Sequence, residues 1–230
     1  MMVQLTQEQI NILEAAGAMP QQGVPSVSES LSKGKKSRKP RKLPKVLNQK
    51  QIDRLFSKIN INCPTGLRNR TAFETMLQAG LRVGEVTALV PANIDFDDDM
   101  IYVQNGKGGV DRNIPMKPAL KEWLLKWNEQ RPSEATYFFC ALKGTQLMRR
   151  YFNTVLHRLC EKTDTYLQDG LNRLPVSCHK LRHTCATRWL SKDKLSLPEI
   201  QRLLGHTHIN TTMIYLSVSM DDIKEKFLRG

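Results

Sequence analysis

Apolar positions between residues 46 and 230 recur mainly at steps of three and four, the spacing of helices with one buried face. Ile52, Leu55 and Phe56 follow Asn48, a good N-cap, and predict a helix reaching about Ile59. Leu67 to Ala79 predicts a second helix, closed by Gly80 in the left-handed position. A short helical turn through Glu85 to Leu89 is expected to stop before Pro91. The texture then changes. Met100–Gln104 and Val110–Met116 flank Asn105-Gly106-Lys107-Gly108-Gly109, a hairpin signal. Pro118–Gln130 is helical by period, with Leu120, Trp123, Leu124 and Trp127 inward, and Tyr137–Cys140 suggests a further short strand. Leu147–Thr163 predicts a long amphipathic helix carrying Phe152, Val155, Leu156 and Leu159. The C-terminal third is expected to be helical throughout: His179–Leu190, a segment opened by the Ser196…Glu199 capping box and running through Leu204, a short helix ending at Tyr215, and a last one after Ser219. The sum is a mostly α-helical α+β fold, one domain over residues 46–230 with a small antiparallel sheet.

The 230 residues are 40% hydrophobic and 25% charged, which excludes wholesale disorder. No apolar run approaches the roughly 18 residues that span a bilayer, so no membrane partner is expected. The start, MMVQLTQEQI, lacks the basic and apolar regions of a secretory signal. Five widely spaced cysteines without a CxxC pair argue against a disulfide framework, and a reduced, cytoplasmic setting is expected. Against that ordinary background, 35 Lys and Arg face 22 Asp and Glu, a net charge of +13 that points to a polyanion.

The charge is unevenly placed. Residues 1–32 hold three acids and no Lys or Arg, whereas residues 33–45 hold eight bases and no acid. The remainder, 46–230, keeps +8 of its own. Residues 1–45 therefore read as an arm whose upstream part forms at most one short helix. Its basic linker, with Lys33, Lys35, Lys36, Arg38, Lys39, Arg41 and Lys42, suits the phosphates of nucleic acid.

Three strings carry chemistry: A-G-L-R-V-G-E (79–85), H-K-L-R-H-T (179–184) and L-L-G-H-T-H-I-N-T-T-M-I-Y (203–215). Arg82 and Arg182 bear planar forks that hold phosphate oxygens by paired hydrogen bonds. His179 lies three residues before Arg182 and shares its helix face. Lys107 sits at the hairpin tip between glycines, with Arg112 the neighbouring alternative cation. His206 and Tyr215 complete a set suited to metal-free phosphodiester transfer. Cations stabilise the charge on the transferring phosphorus, a tyrosine with lowered pKa attacks, and a lysine protonates the leaving oxygen. His179 and His183 stand at zinc-pair spacing, but no HExxH glutamate or third ligand accompanies them, so no metal or other cofactor is expected. His183 suits a core or supporting role.

Taken together, and in this order, the three strings resemble the boxes of the tyrosine recombinase (phage integrase) family over roughly residues 46–220. The resemblance implies that Tyr215 attacks a scissile phosphate of double-stranded DNA, forming a 3′-phosphotyrosyl link and freeing a 5′-hydroxyl. It further implies that Arg82, Arg182 and His206 hold the phosphate, that Lys107 protonates the leaving oxygen, and that His179 assists proton transfer. Glu85 matches a supporting acid that orients the arginines or histidine. The implied protein is a site-specific DNA recombinase for integration, excision or inversion. It acts as a homotetramer on two sites, with or without an accessory DNA-bending protein, in a prokaryotic cell or on a mobile element. A type IB topoisomerase uses similar residues, and a DNA-binding regulator with the same fold is the non-enzymatic alternative. Residues 1–45 are too few for the helical core-binding domain of typical members, whose four helices need more than about 45 residues. The chain is thus expected to resemble the short catalytic-domain members, such as the invertases of fimbrial phase variation, or to have lost part of an ancestral domain. Ile223, Phe227 and Leu228 give the tail a small apolar face for docking in cis or on a neighbouring subunit.

Overall fold

A computed structural model describes residues 45–104 and 111–205. Helix α1 (Gln49–Phe56) starts where the sequence predicts. Asn48 Oδ1 accepts from the Gln51 amide at 2.9 Å, and the Gln51 side chain accepts from the Asn48 amide at 3.0 Å. Helix α2 (Pro64–Gln78) begins three residues before the expected Leu67 because Pro64 occupies its first turn, where a missing N–H costs nothing. It is buried on nearly all sides from Gly66 to Leu77 and packs against α4 (Pro118–Gln130) and α6 (Cys178–Ser191). Its polar residues are satisfied from neighbouring elements: Arg68 donates to the Cys140 carbonyl at 3.0 Å, and Thr71 to the Trp123 carbonyl at 3.2 Å. Around it, Phe56, Phe73 and Phe152 form the aromatic centre of the core.

After the short helix α3 (Val83–Ala88) and a 3₁₀ turn come three antiparallel strands in the order β1 (Ile94–Asp95), β2 (Met100–Val103), β3 (Arg112–Pro115). β2 and β3 confirm the two arms of the predicted hairpin, while its turn, with Lys107, lies outside the described residues. The pleat buries Ile101 and Val103 on β2 and, on β3, Arg112 and Ile114. Helix α4 has the predicted limits, with Trp127 donating to the Phe138 carbonyl at 2.9 Å and Trp123 only half-buried.

Two expectations fail. Tyr137–Cys140 is not a strand; Phe138 and Phe139 are buried plugs, and Phe138 donates to the Leu89 carbonyl at 2.7 Å. Nor is the C-terminal third helical throughout. Between α5 (Arg149–Thr163) and α6, strands β4 (Tyr166–Asp169) and β5 (Asn172–Pro175) form a second sheet around Gly170, at φ +63°. Only Leu167 is fully buried in this hairpin, too little apolar alternation to register as strand. The Asp169-Gly170 turn was the available signal. Helix α7 (Leu197–Leu204) begins as predicted, with the Ser196 amide and hydroxyl both donating to the Glu199 carboxylate. It ends at Gly205, at φ +62°.

Candidate active site

The site is assembled where helices end. Helix α2 stops so that Gly80, at φ +64°, turns the chain in the left-handed conformation. A Cβ at Gly80 would lie 3.1 Å from side-chain atoms of Leu204 and Trp189, so α6 and α7 approach this turn more closely than other residues would allow. Leu81 is buried, and Arg82 then takes the extended N-cap position of α3. That geometry lets the Arg82 amide and Nη1 both reach the Glu85 carboxylate, each at 2.7 Å. Arg82 Nη2 donates to the Gly205 carbonyl at 3.1 Å.

Arg182 enters from the first half of α6 and is only 3% exposed. Its Nη1 donates to the Gly80 carbonyl and its Nη2 to the Leu204 carbonyl at 2.6 Å, with Glu85 3.8 Å away. One side chain thus ties the 79–85, 179–184 and 203–205 segments together.

A third guanidinium joins them. Arg112, inward on β3, donates Nη1 and Nη2 to the two Glu85 oxygens at 3.0 and 2.8 Å, and Nε to the Leu203 carbonyl at 2.7 Å. The sequence offered Arg112 only as an alternative to Lys107 and missed its partnership with Glu85. The available signal was strand alternation, which puts Arg112 on the same inward face as Ile114.

Burial alone would raise the pKa of Glu85. The Arg112 fork and charge, with the Arg82 amide and side chain, more than reverse this and hold it at about 2. Among the described residues three guanidiniums face one carboxylate, a net charge of +2. Its field reaches His179, on the exposed first turn of α6. Partial desolvation first, then the charges of Arg182, Lys180 and Arg82, hold the His179 pKa below the usual histidine value. Its ring meets that of half-buried His183 edge to face, with centroids 4.4 Å apart. Among the described residues, no group of three His, Cys, Asp or Glu could hold a metal ion.

The structure therefore brings together Arg82, Glu85 and Arg182, with His179 within reach of their field. Lys107, His206 and Tyr215, the tail residues Ile223, Phe227 and Leu228, and the basic linker (Lys33, Lys35, Lys36, Arg38, Lys39, Arg41 and Lys42) lie outside the described residues. Of the remaining tyrosines, Tyr151 is half-buried against the core and accepts hydrogen bonds from Arg68 and Asn69.

The sequence profile of the phage integrase family matches residues 45–222. Tyrosine recombinase XerD of Ralstonia nicotianae is 30% identical over 196 residues, covering 82% of this chain and 60% of that protein. Tyrosine recombinase XerC of Chlamydia trachomatis serovar L2 is 35% identical over 188 residues, covering 80% and 57%. The chain thus spans 57–60% of the length of these curated relatives. Among solved structures, XerH site-specific recombinase bound to its difH substrate in a pre-cleavage complex superposes with a TM-score of 0.61. The identity is 26%, and the match covers 76% of this chain and 50% of that one.

Proposed function

The chain belongs to the phage integrase family, and from that premise we propose that it is a site-specific DNA recombinase working through a covalent 3′-phosphotyrosyl intermediate. The observation that carries this reading is the convergence of the three boxes: Arg182 bonds both to the Gly80 carbonyl and to the Leu204 carbonyl, and Arg82 to the Gly205 carbonyl. Segments some hundred residues apart in sequence meet around a cationic centre that contacts Gly205, the residue directly before His206.

In the proposed reaction Tyr215 Oη attacks the phosphorus of the scissile phosphodiester. The new O–P bond forms as the bond to the 5′-oxygen breaks, and Lys107 gives that oxygen its proton. Arg82, Arg182 and His206 stabilise the equatorial oxygens, where negative charge gathers. His179, kept largely neutral at pH 7 by its lowered pKa, is able to accept the proton that the Tyr215 hydroxyl gives up. Attack of a second 5′-hydroxyl on the phosphotyrosine reverses the step on a new strand, with neither metal nor ATP in the balance. Glu85 touches no reacting atom; it positions the arginines. Double-stranded DNA is the substrate, two sites are exchanged within a tetramer, and the basic linker of residues 33–45 tracks phosphates outside the catalytic domain of 46–230.

The test is trapping from a library of nicked duplexes of randomised sequence, incubated with the full chain in EDTA. Nicked strands let the short 5′-hydroxyl product diffuse away and leave the protein bound covalently. The expected outcome is an SDS-stable adduct that enriches one sequence and is lost in Tyr215→Phe. No adduct, an adduct that persists in Tyr215→Phe, or one that needs added magnesium would overturn the reading.

A further inference from the structure

We propose that Arg112 is a positioning residue: it locks the strand that follows Lys107 to the carboxylate and helix end that hold Arg82. The inference rests on the recombinase reading above. Three geometric facts carry it. First, Arg112 is a buried cation, its side chain 3% exposed, and its fork spans two elements, Glu85 on α3 and the Leu203 carbonyl on α7. Second, both Glu85 oxygens are shared. Oε1 accepts from Nη1 of Arg82 and of Arg112; Oε2 accepts from the Arg82 amide and Nη2 of Arg112. Arg82 therefore cannot shift without disturbing the carboxylate that Arg112 pins. Third, a Cβ at Gly205 would come within 3.1–3.4 Å of three Arg112 atoms. The guanidinium thus packs on the backbone whose carbonyl is the other acceptor of Arg82.

Chain connectivity gives this lock its consequence. Arg112 follows Lys107 by five residues, and Leu203 precedes His206 by three. Fixing Arg112 to Glu85 and Leu203 fixes the origins of both segments relative to Arg82. Lysine cannot substitute, because an ammonium is a point charge and cannot grip two carboxylate oxygens and a carbonyl in one plane.

The experiment compares the full-length wild type with Arg112→Lys and Arg112→Met. Adduct formation is timed on the selected nicked duplex at saturating DNA, from pH 5 to 8, and urea unfolding reports the folded fraction. Arg112→Met is expected to form adduct about 100-fold more slowly at saturating DNA, with DNA affinity little changed, as for a misplaced catalytic group. Its rate is also expected to fall more steeply between pH 7 and 5 than that of the wild type, whose own fall follows protonation of His179. Without the Arg112 fork, burial of Glu85 is opposed only by the Arg82 amide and side chain and, among the described residues, by Arg182 at 3.8 Å, so its pKa rises and its hold on Arg82 weakens as the pH falls. Arg112→Lys is expected to restore the acid-side profile while remaining slower than wild type. A folded Arg112→Met with the wild-type rate and profile overturns the proposal, as does a rate loss equal to the unfolded fraction. Should Arg112→Met not fold, an Arg112→Lys enzyme with the wild-type rate overturns it. A wild type that forms no Tyr215-dependent adduct would sink the recombinase reading instead. Carbon-13 titration of the Glu85 carboxyl, which needs no turnover, then decides this one: a raised pKa in Arg112→Met supports the lock, and an unchanged one overturns it.

Discussion

Replacing Glu85 by glutamine removes one negative charge from a buried cluster and leaves its shape intact. The carboxylate is 8% exposed and receives four donors, two from Arg82 and two from Arg112. Glutamine offers one carbonyl oxygen and turns an NH2 group toward an arginine donor, so Arg112 becomes a buried cation without a counter-charge. The size of the effect follows from two independent arguments. Breaking a buried ion pair by removing one partner costs about 3–5 kcal/mol. Separately, a carboxyl pKa lowered from 4.5 to about 2 on folding is worth about 3 kcal/mol at neutral pH, at roughly 1.4 kcal/mol per unit. The folded pKa is depressed, so this stability is fully present above pH 4.5 and is lost as the pH falls toward 2. Urea unfolding of wild type and Glu85→Gln at pH 7 should therefore differ by about 3 kcal/mol, and the difference should shrink to less than about half by pH 3. Taking the difference cancels every other carboxylate. A gap that stays the same from pH 7 to pH 3, or no gap at pH 7, would refute the ionic role of Glu85.

Gly80→Ala places a side chain at φ +64° and within 3.1 Å of Leu204 and Trp189, so it should cost about 1–3 kcal/mol, read as a lower melting temperature by circular dichroism. An unchanged melting temperature would contradict the left-handed end of α2. Replacing Lys33, Lys35, Lys36, Arg38, Lys39, Arg41 and Lys42 with glutamine should make log K for DNA fall less steeply with log salt, by about 0.9 for each phosphate that the linker no longer neutralises. A slope identical to wild type would show that the linker touches no phosphate.

The helical part of the fold was legible because its signals are local. Asn48, Pro118 and the Ser196…Glu199 pair mark helix starts, and three-to-four spacing marks buried faces. What escaped was structure fixed by tertiary packing. Phe138 and Phe139 look like strand residues, yet both are fully buried outside any strand, with the Phe138 backbone bonded to Leu89 and to the Trp127 side chain. The β4–β5 hairpin buries a single leucine and so leaves no periodic trace. Arg82, Glu85 and Arg182 could be picked out because they sit in strings whose composition suggests phosphate chemistry. Arg112 could not be assigned a role: its importance is a geometric fact, two oxygens and a carbonyl within 3.0 Å, contributed by residues 27 and 91 positions away.

The way these arginines are held bears on how the site keeps its charge. Had each guanidinium been matched by its own carboxylate, the cluster would be neutral and would have little attraction for phosphate. Instead, among the described residues, a single carboxylate serves three arginines, and backbone carbonyls supply further acceptors: Gly80 just beyond α2, Leu203 and Leu204 in the last turn of α7, and Gly205 at its cap. The last carbonyls of a helix have no partner within it and carry the negative end of its dipole. They fix a guanidinium in place as a hydrogen-bond acceptor would, without cancelling its unit charge. The left-handed glycines are part of the same arrangement, since Gly80 and Gly205 end the two helices where their carbonyls face Arg182 and Arg82. Closing the core around α2 and α7 and assembling this cationic cluster are therefore one event: a chain that packs these helix ends correctly has built the proposed phosphate-binding centre at the same time.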